Sequence, residues 1–299
     1  MTSAAQFAVV DWGTSGFRLW LVDDDGTVLA TRKSRQGMIV AAETGFANVL
    51  EDHLGALGAP GDLPVVICGM AGARQGWIEA GYADVPTGLS GLAEKAVRVP
   101  GIARDVRILP GLAQRIASQA DVMRGEETQL LGAQSAMVQS RHLVCMPGTH
   151  SKWVAVEDGI VTGFSTYMTG ELFAAISGST ILQHAIKGAE GFDENGTAFA
   201  DAVLAAHDQP GRATSQLFSI RARGLLLGAG AADSLASLSG TLIGLELAGA
   251  LPPDRQQAQS IILVAEGRLA RLYIAALARL DIHPPLVDSD AAVLGGLSK

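Results

Sequence analysis

Two stretches of this chain carry the same order of apolar runs and turns. Residues 7–11 (FAVVD) form an apolar run that ends in a carboxylate, and 12–16 (WGTSG) follow as a turn. Residues 17–22 (FRLWLV) alternate in part, 23–26 (DDDG) turn again, and 27–32 (TVLATR) resume an extended pattern. Short apolar runs bounded by Gly and Asp clusters predict three antiparallel strands joined by two tight turns. The design returns at 143–146 (LVCM), 147–151 (PGTHS), 152–156 (KWVAV), 157–159 (EDG) and 160–167. Gly13-Thr14 then corresponds to Gly148-Thr149, and Asp25-Gly26 to Asp158-Gly159. A repeat of so long a period predicts two related domains rather than a solenoid.

Between the echoes, 64–70 (PVVICGM) and 106–109 read as buried strands, and 123–138 as a helix weakened by Gly125 and Gly132. After the second echo, 171–186 reads as a helix and 225–249 as one or two helices. Residues 261–265 (IILVA) read as a strand, 268–280 as a helix and 291–297 as a short final helix. Mixed strands and helices in this order predict α/β layers. The join is expected near 134–141, which divides the chain into 1–135, with the first turn and the substrate side, and 136–299, with the second turn and the adenosine side.

Composition narrows the class. With 299 residues, 48% hydrophobic and 17% charged, the chain is long and apolar enough for two packed domains and is not disordered. A net charge of -8 argues against a nucleic-acid partner, which would meet a basic face. It leaves small anions open, because a glycine turn can hold phosphate through backbone N–H groups whatever the net charge. Cys68 and Cys145 lie in apolar runs and form no CxxC pair, which suits two free thiols in a reducing compartment. The first residues show no signal-peptide pattern and no run is long enough to span a membrane, so a cytoplasmic protein is expected. The chain is compatible with a homodimer. There is no GxxxxGK[ST], no GxGxxG after the first strand, no GxSxG and no HExxH.

The two Gly-Thr turns are the chemical signal. Glycine frees the backbone to aim N–H groups together, and the threonine hydroxyls add donors, so two such turns could hold the phosphates of one nucleotide. Asp11 ends a strand beside the first turn, where a carboxylate can hold Mg²⁺ through water.

At DWGTSGFR, MRGEETQLLGA, MPGTHSKWV and MTGEL the chain resembles the 2-dehydro-3-deoxygalactonokinase family of the sugar-kinase, Hsp70 and actin superfamily. The resemblance implies two ribonuclease H-like (actin-like ATPase) domains with an interdomain cleft. It also implies transfer of the γ-phosphate of ATP, with magnesium, to the 6-hydroxyl of 2-dehydro-3-deoxy-D-galactonate during galactonate breakdown. The chain departs from the family's usual pattern in GMAGARQGWIEAGY, at Ala73 and Gly81, and in 264–273 (VAEGRLARLY), at Glu266.

Glu126 and Glu127 follow Arg124-Gly125, and two acids in a first helical turn suit the helix dipole without further function. By analogy with related sugar kinases and polyphosphatases, one of them is the general base, Glu127 first and Glu126 second. Gly13, Thr14 and Ser15 in the first turn, and Gly148, Thr149, His150 and Lys152 in the second, are the phosphate-binding candidates. Lys152 reads equally well as a solvent-facing strand residue. Arg18, Arg74, Gln75, Trp77 and Arg124 are candidates for the sugar acid, with a guanidinium suited to its carboxylate. Gly267 and Arg268 are the adenosine candidates. A phosphatase of the same superfold, a kinase of another keto-deoxy sugar acid and a non-catalytic actin-like ATPase are the alternatives.

Overall fold

The computed structural model describes residues 4–252 and 260–298. The fold is mixed α/β, and the chain forms two compact units. The first comprises Met1–Ser140, Ala155–Phe164 and Val287–Lys299; the second comprises Arg141–Val154 and Ser165–Leu286. This grouping differs from a single cut near residue 135, because the last residues of the chain pack with the first unit.

The first unit opens with β1 (Phe7–Trp12), β2 (Phe17–Val22) and β3 (Val28–Ser34), then α1 (Met38–Thr44) and α2 (Phe46–Ala56). Next come β4 (Val65–Gly69), β5 (Tyr82–Asp84), β6 (Thr87–Gly88), β7 (Val97–Arg98), β8 (Val106–Ile108), β9 (Gly111–Gln114) and β10 (Asp121–Met123), and then α3 (Glu126–Gly132). The main sheet has the order β3-β2-β1-β4-β8-β7. β1 pairs antiparallel with β2 and parallel with β4. The partial alternation of β2 follows from burial on both sides. Phe17, Leu19 and Leu21 join a core with Phe46, Leu50 and Leu54 of α2, while Trp20 and Val22 pack with Val293 and Leu297 of the final helix, Ser289–Leu297. A strand covered on both faces reads as nearly continuous apolar sequence.

The second unit takes β11 (Arg141–Met146) and portions of β12 (Ser151–Glu157) and β13 (Ile160–Tyr167). Helices α4 (Thr169–Ser179), α5 (Gln183–Ile186), α6 (Thr197–Asp208), α7 (Ala213–Leu227) and α8 (Ala231–Ala250) follow, then β14 (Ile261–Val264) and the helix Gly267–Ala278. Its strands lie in the order β14-β11-β12-β13, with β14 parallel to β11. The order β4-β1-β2-β3 of the first unit is thus repeated, strand for strand. Among the described residues, no helix is long and apolar enough to cross a membrane.

Three expected helices change in length. The stretch 123–138 contains a seven-residue helix only, because β10 runs to Met123, Gly125 sits at φ 106° and the backbone tightens into a 3₁₀ turn after Gly132. Residues 171–186 divide into α4 and α5 at Thr180, and 225–249 forms a single helix beginning at Ala231, after α7 closes on Gly228 at φ 68°.

Candidate active site

In the first unit, β1 and β4 are parallel with Trp12 opposite Gly69, so the segments after both strands emerge at one edge of the sheet. Open α/β sheets place ligands at that carboxyl edge. The turn after β1 closes by a bond from the Gly13 N–H to the Gly16 carbonyl, 2.9 Å, and leaves Thr14 and Ser15 exposed. The start of α1 holds this turn from behind. Met38 N–H donates to the Gly13 carbonyl at 2.9 Å and Ile39 N–H to the Thr14 carbonyl at 3.2 Å. A Cβ on Gly37 would stand 2.5 Å from both the Thr14 oxygen and the Ser15 carbonyl carbon, so only glycine allows this approach. Gly13 itself has no left-handed backbone, and a Cβ there would meet ordinary contacts from 3.5 Å. The steric need for glycine lies behind the turn, at Gly37.

Asp11 lies opposite Arg18 in the strand register. Arg18 donates from Nε and Nη2 to Asp11 Oδ2, at 3.1 and 2.6 Å, and from Nη1 to Asp290 of the final helix. Lys33 Nζ reaches the other Asp290 oxygen at 2.6 Å. Arg18 therefore already bonds two carboxylates of its own chain. The second Asp11 oxygen, Oδ1, lies 3.9 Å from the Cys68 thiol. Burial pushes that thiol well up, and the negative charges of Asp11 and Glu127 add to it. Cys68 thus lies between Asp11 and Glu127 of α3.

Glu126 is half-buried and its Oε2 accepts the Arg124 N–H at 3.0 Å. Glu127 is wholly buried, with both oxygens accepting the Gly125 N–H at 2.9 and 2.7 Å. Burial, and then the charge of Glu126, pushes the Glu127 carboxyl up to about 8.

Arg124 threads into the segment after β4. Its Nη2 donates to the Gly81 carbonyl at 2.8 Å, its guanidinium lies 4.4 Å from the Tyr82 ring centre, and its Nη1 would lie 2.8 Å from a Cβ on Gly72. Its Nε and Nη1 are buried with no hydrogen-bond partner in the protein. Buried charged donors are costly without an acceptor, so these two atoms make Arg124 a candidate to meet an anionic ligand. Of the other sugar-acid candidates, Arg74 is exposed beside Glu79 at 3.5 Å and Gln75 is exposed. Trp77 stacks on Phe46 at 5.9 Å and packs against the core, so its role in the fold is packing.

In the second unit, β11 and β14 are parallel and the second turn follows β11. Thr149 and His150 are exposed; His150 Nε2 lies 2.6 Å from Glu171 Oε2. Lys152 is buried, not solvent-facing, and its Nζ donates to the His150 carbonyl at 3.2 Å. The support behind this turn repeats that of the first. Glu171 N–H donates to the Thr149 carbonyl at 3.0 Å, as Ile39 N–H does to Thr14. A Cβ on Gly170 would stand 2.5 Å from the Gly148 oxygen and 2.7 Å from the Thr149 Cα, whereas one on Gly148 would meet nothing nearer than 3.8 Å. Gly267, at φ 56°, follows β14 at the same sheet edge, and Arg268 lies over the Phe192 ring at 4.7 Å. Among the described residues, no three His, Cys, Asp or Glu side chains group as a metal cluster.

A model of the 2-keto-3-deoxy-galactonokinase family matches residues 11–299. The chain belongs to that family. A Rhizobium meliloti (strain 1021) protein named as a 2-dehydro-3-deoxygalactonokinase is 54% identical over 298 residues, spanning 100% of this chain and 97% of its own. The 2-dehydro-3-deoxygalactonokinase of Escherichia coli (strain K12) is 32% identical over 295 residues, spanning 98% and 96%. A crystal structure of a Sinorhizobium meliloti protein named for the same kinase is 54% identical and superposes with a TM-score of 0.95 over 98% of this chain and 97% of that one. For this galactonokinase-family chain, the residues that reasoning from sequence did not single out are Gly37, Gly170, Cys68 and Asp290. The two glycines had a signal, since each opens a helix behind its Gly-Thr turn. Asp290 had none, being 272 residues from Arg18.

Proposed function

We propose that this protein is an ATP-dependent kinase that phosphorylates the 6-hydroxyl of 2-dehydro-3-deoxy-D-galactonate. The observation that carries the reading is the duplicated Gly-Thr turn, each copy backed by a glycine at the start of the next helix, in a chain of the galactonokinase family. Under this reading the chain is a pair of ribonuclease H-like domains, halves 1–135 and 136–299, with ATP and substrate taken into a cleft. The repeated strand order supports that pairing.

Thr14 and Ser15, with Gly13, supply donors to one side of the nucleotide phosphates. Gly148, Thr149, His150 and Lys152 supply the other. Gly267 and Arg268 flank the adenosine. Phosphoryl transfer depends mainly on positioning and charge neutralisation, so turns of this kind suffice without a protein nucleophile. Magnesium keeps much of its water and needs few protein ligands, and Asp11, with Oδ1 turned from Arg18, fits that requirement. Bound there, Mg²⁺ would neutralise phosphate charge.

Arg124 offers Nε and Nη1, donors on different sides of its guanidinium, and one of them takes the sugar-acid carboxylate while Nη2 stays on the Gly81 carbonyl. Of the two glutamates, Glu126 is the one open to solvent, and we assign it the hydroxyl proton. Glu127, enclosed on the Gly125 N–H, then holds the turn that carries Arg124 and Glu126.

A coupled ADP-release assay over a panel of 2-keto-3-deoxy sugar acids tests the proposal. Release that requires 2-dehydro-3-deoxy-D-galactonate supports it. Phosphate release without any sugar acid would replace it with a phosphatase, and preference for another acid would reassign the substrate.

A further inference from the structure

Glu246 of α8 is 2% exposed, yet it lies beyond the turn residues and has no part in the chemistry proposed above. Its Oε1 accepts the Trp153 indole N–H at 2.7 Å. Its Oε2 accepts the Tyr273 hydroxyl at 2.7 Å and the hydroxyl of Thr169, the first residue of α4. Tyr273 in turn lies 3.0 Å from the Ser151 hydroxyl, at the first residue of β12. A buried carboxylate is tolerated only when its lone pairs are met, and here three donors from β12, α4 and the helix Gly267–Ala278 meet it.

Those elements are the ones that shape the second Gly-Thr turn. Ser151 and Trp153 come directly after the turn. Thr169 precedes Gly170, which stands against the Gly148 and Thr149 backbone, and Glu171, whose N–H holds the Thr149 carbonyl. We infer that Glu246 is a positioning residue for phosphoryl transfer: by holding Thr169 it seats the start of α4 against the Gly148-Thr149 turn and fixes the direction of its N–H groups. The inference rests on the reading that this turn takes nucleotide phosphate. It also gives a reason for the MTGEL stretch: threonine ties to Glu246, glycine allows the approach, and glutamate supplies the N–H that reaches Thr149.

Thr169→Val removes the tie to Glu246 at nearly constant volume, and Thr169→Ser keeps the hydroxyl. A hydrogen bond to a charged group is worth about a tenfold effect or more, so Thr169→Val should raise the ATP KM about tenfold. The sugar-acid KM should stay near wild type, and the melting temperature should fall by a few degrees because a buried carboxylate loses a donor. Thr169→Ser should restore both the ATP KM and the melting temperature. A folded Thr169→Val enzyme with wild-type ATP KM, or a Thr169→Ser enzyme as impaired as Thr169→Val, overturns the inference. Gly170→Ala separates the two levels of the argument. A raised ATP KM in Gly170→Ala with none in Thr169→Val removes only the role of Glu246. An unchanged ATP KM in a folded Gly170→Ala enzyme removes the turn from the nucleotide site altogether.

Discussion

Arg18 stands directly across the β1–β2 pair from Asp11 and places two nitrogens on one carboxylate oxygen, leaving the other oxygen toward Cys68 and the end of β4. The carboxylate is thereby fixed in orientation beside the first Gly-Thr turn. Asp11→Asn keeps the shape and loses the charge that would meet magnesium. A metal-held charge is worth several kcal/mol to a transition state, so kcat should fall about 10²-fold or more in a folded protein. Initial rates across a magnesium titration check this, and near-wild-type turnover would remove Asp11 from the metal.

The glutamate pair gives opposite expectations for two equally conservative changes. Glu126→Gln should cut kcat about 10²–10⁴-fold with both KM values nearly unchanged, the usual yield of a general base. Glu127→Gln keeps a hydrogen-bond acceptor for the Gly125 N–H and should retain most of the turnover. Steady-state kinetics of the two variants decide it, and the reverse order would return the base to Glu127.

Glu127 also predicts a pH dependence of stability. Its carboxyl is raised from 4.5 in the unfolded chain to about 8 in the fold. The folded state therefore holds a proton that the unfolded chain releases. That contribution is complete below about pH 4.5 and is lost as pH rises through about 8. Glu127→Gln is neutral throughout, so its melting temperature should gain on wild type steadily over that window and level off above it. Parallel melts from pH 5 to 9 provide the measurement; a constant difference would contradict the shift.

Arg124 carries the strongest expectation for substrate recognition, since Nε and Nη1 are buried without an acceptor. Arg124→Lys keeps the charge and loses the planar set of donors that serves Gly81 and a ligand at once. The sugar-acid KM should rise about tenfold or more while the ATP KM holds. Equal loss for both substrates would mean that Arg124 supports the fold around Gly81 and Tyr82 instead.

The hairpins and their turns were legible because strand, glycine turn and alternating strand lie within about 30 residues and need no distant partner. The repeat between them foretold the repeated strand order. Helices α1, α2, α6 and nearly all of α7 were not read, since short stretches mixing small, polar and apolar residues give a weak period of 3.6. The tightest approach falls not at the turn glycines Gly13 and Gly148 but at Gly37 and Gly170, which are 24 and 22 residues further along. Glu246 could not be placed, because burial of its charge depends on donors supplied from far along the chain, 93 residues away for Trp153.

The final helix carries Asp290 to Arg18 and Lys33 and supplies Val293 and Leu297 to the face of the first sheet. Arg18 and Asp290 lie 272 residues apart along the chain. The first unit is thus closed like a drawstring: the cover of Trp20 and Val22 is complete only when nearly the whole length between them has been looped back. That closure is a cost in chain entropy that the Arg18, Lys33 and Val293 contacts must offset.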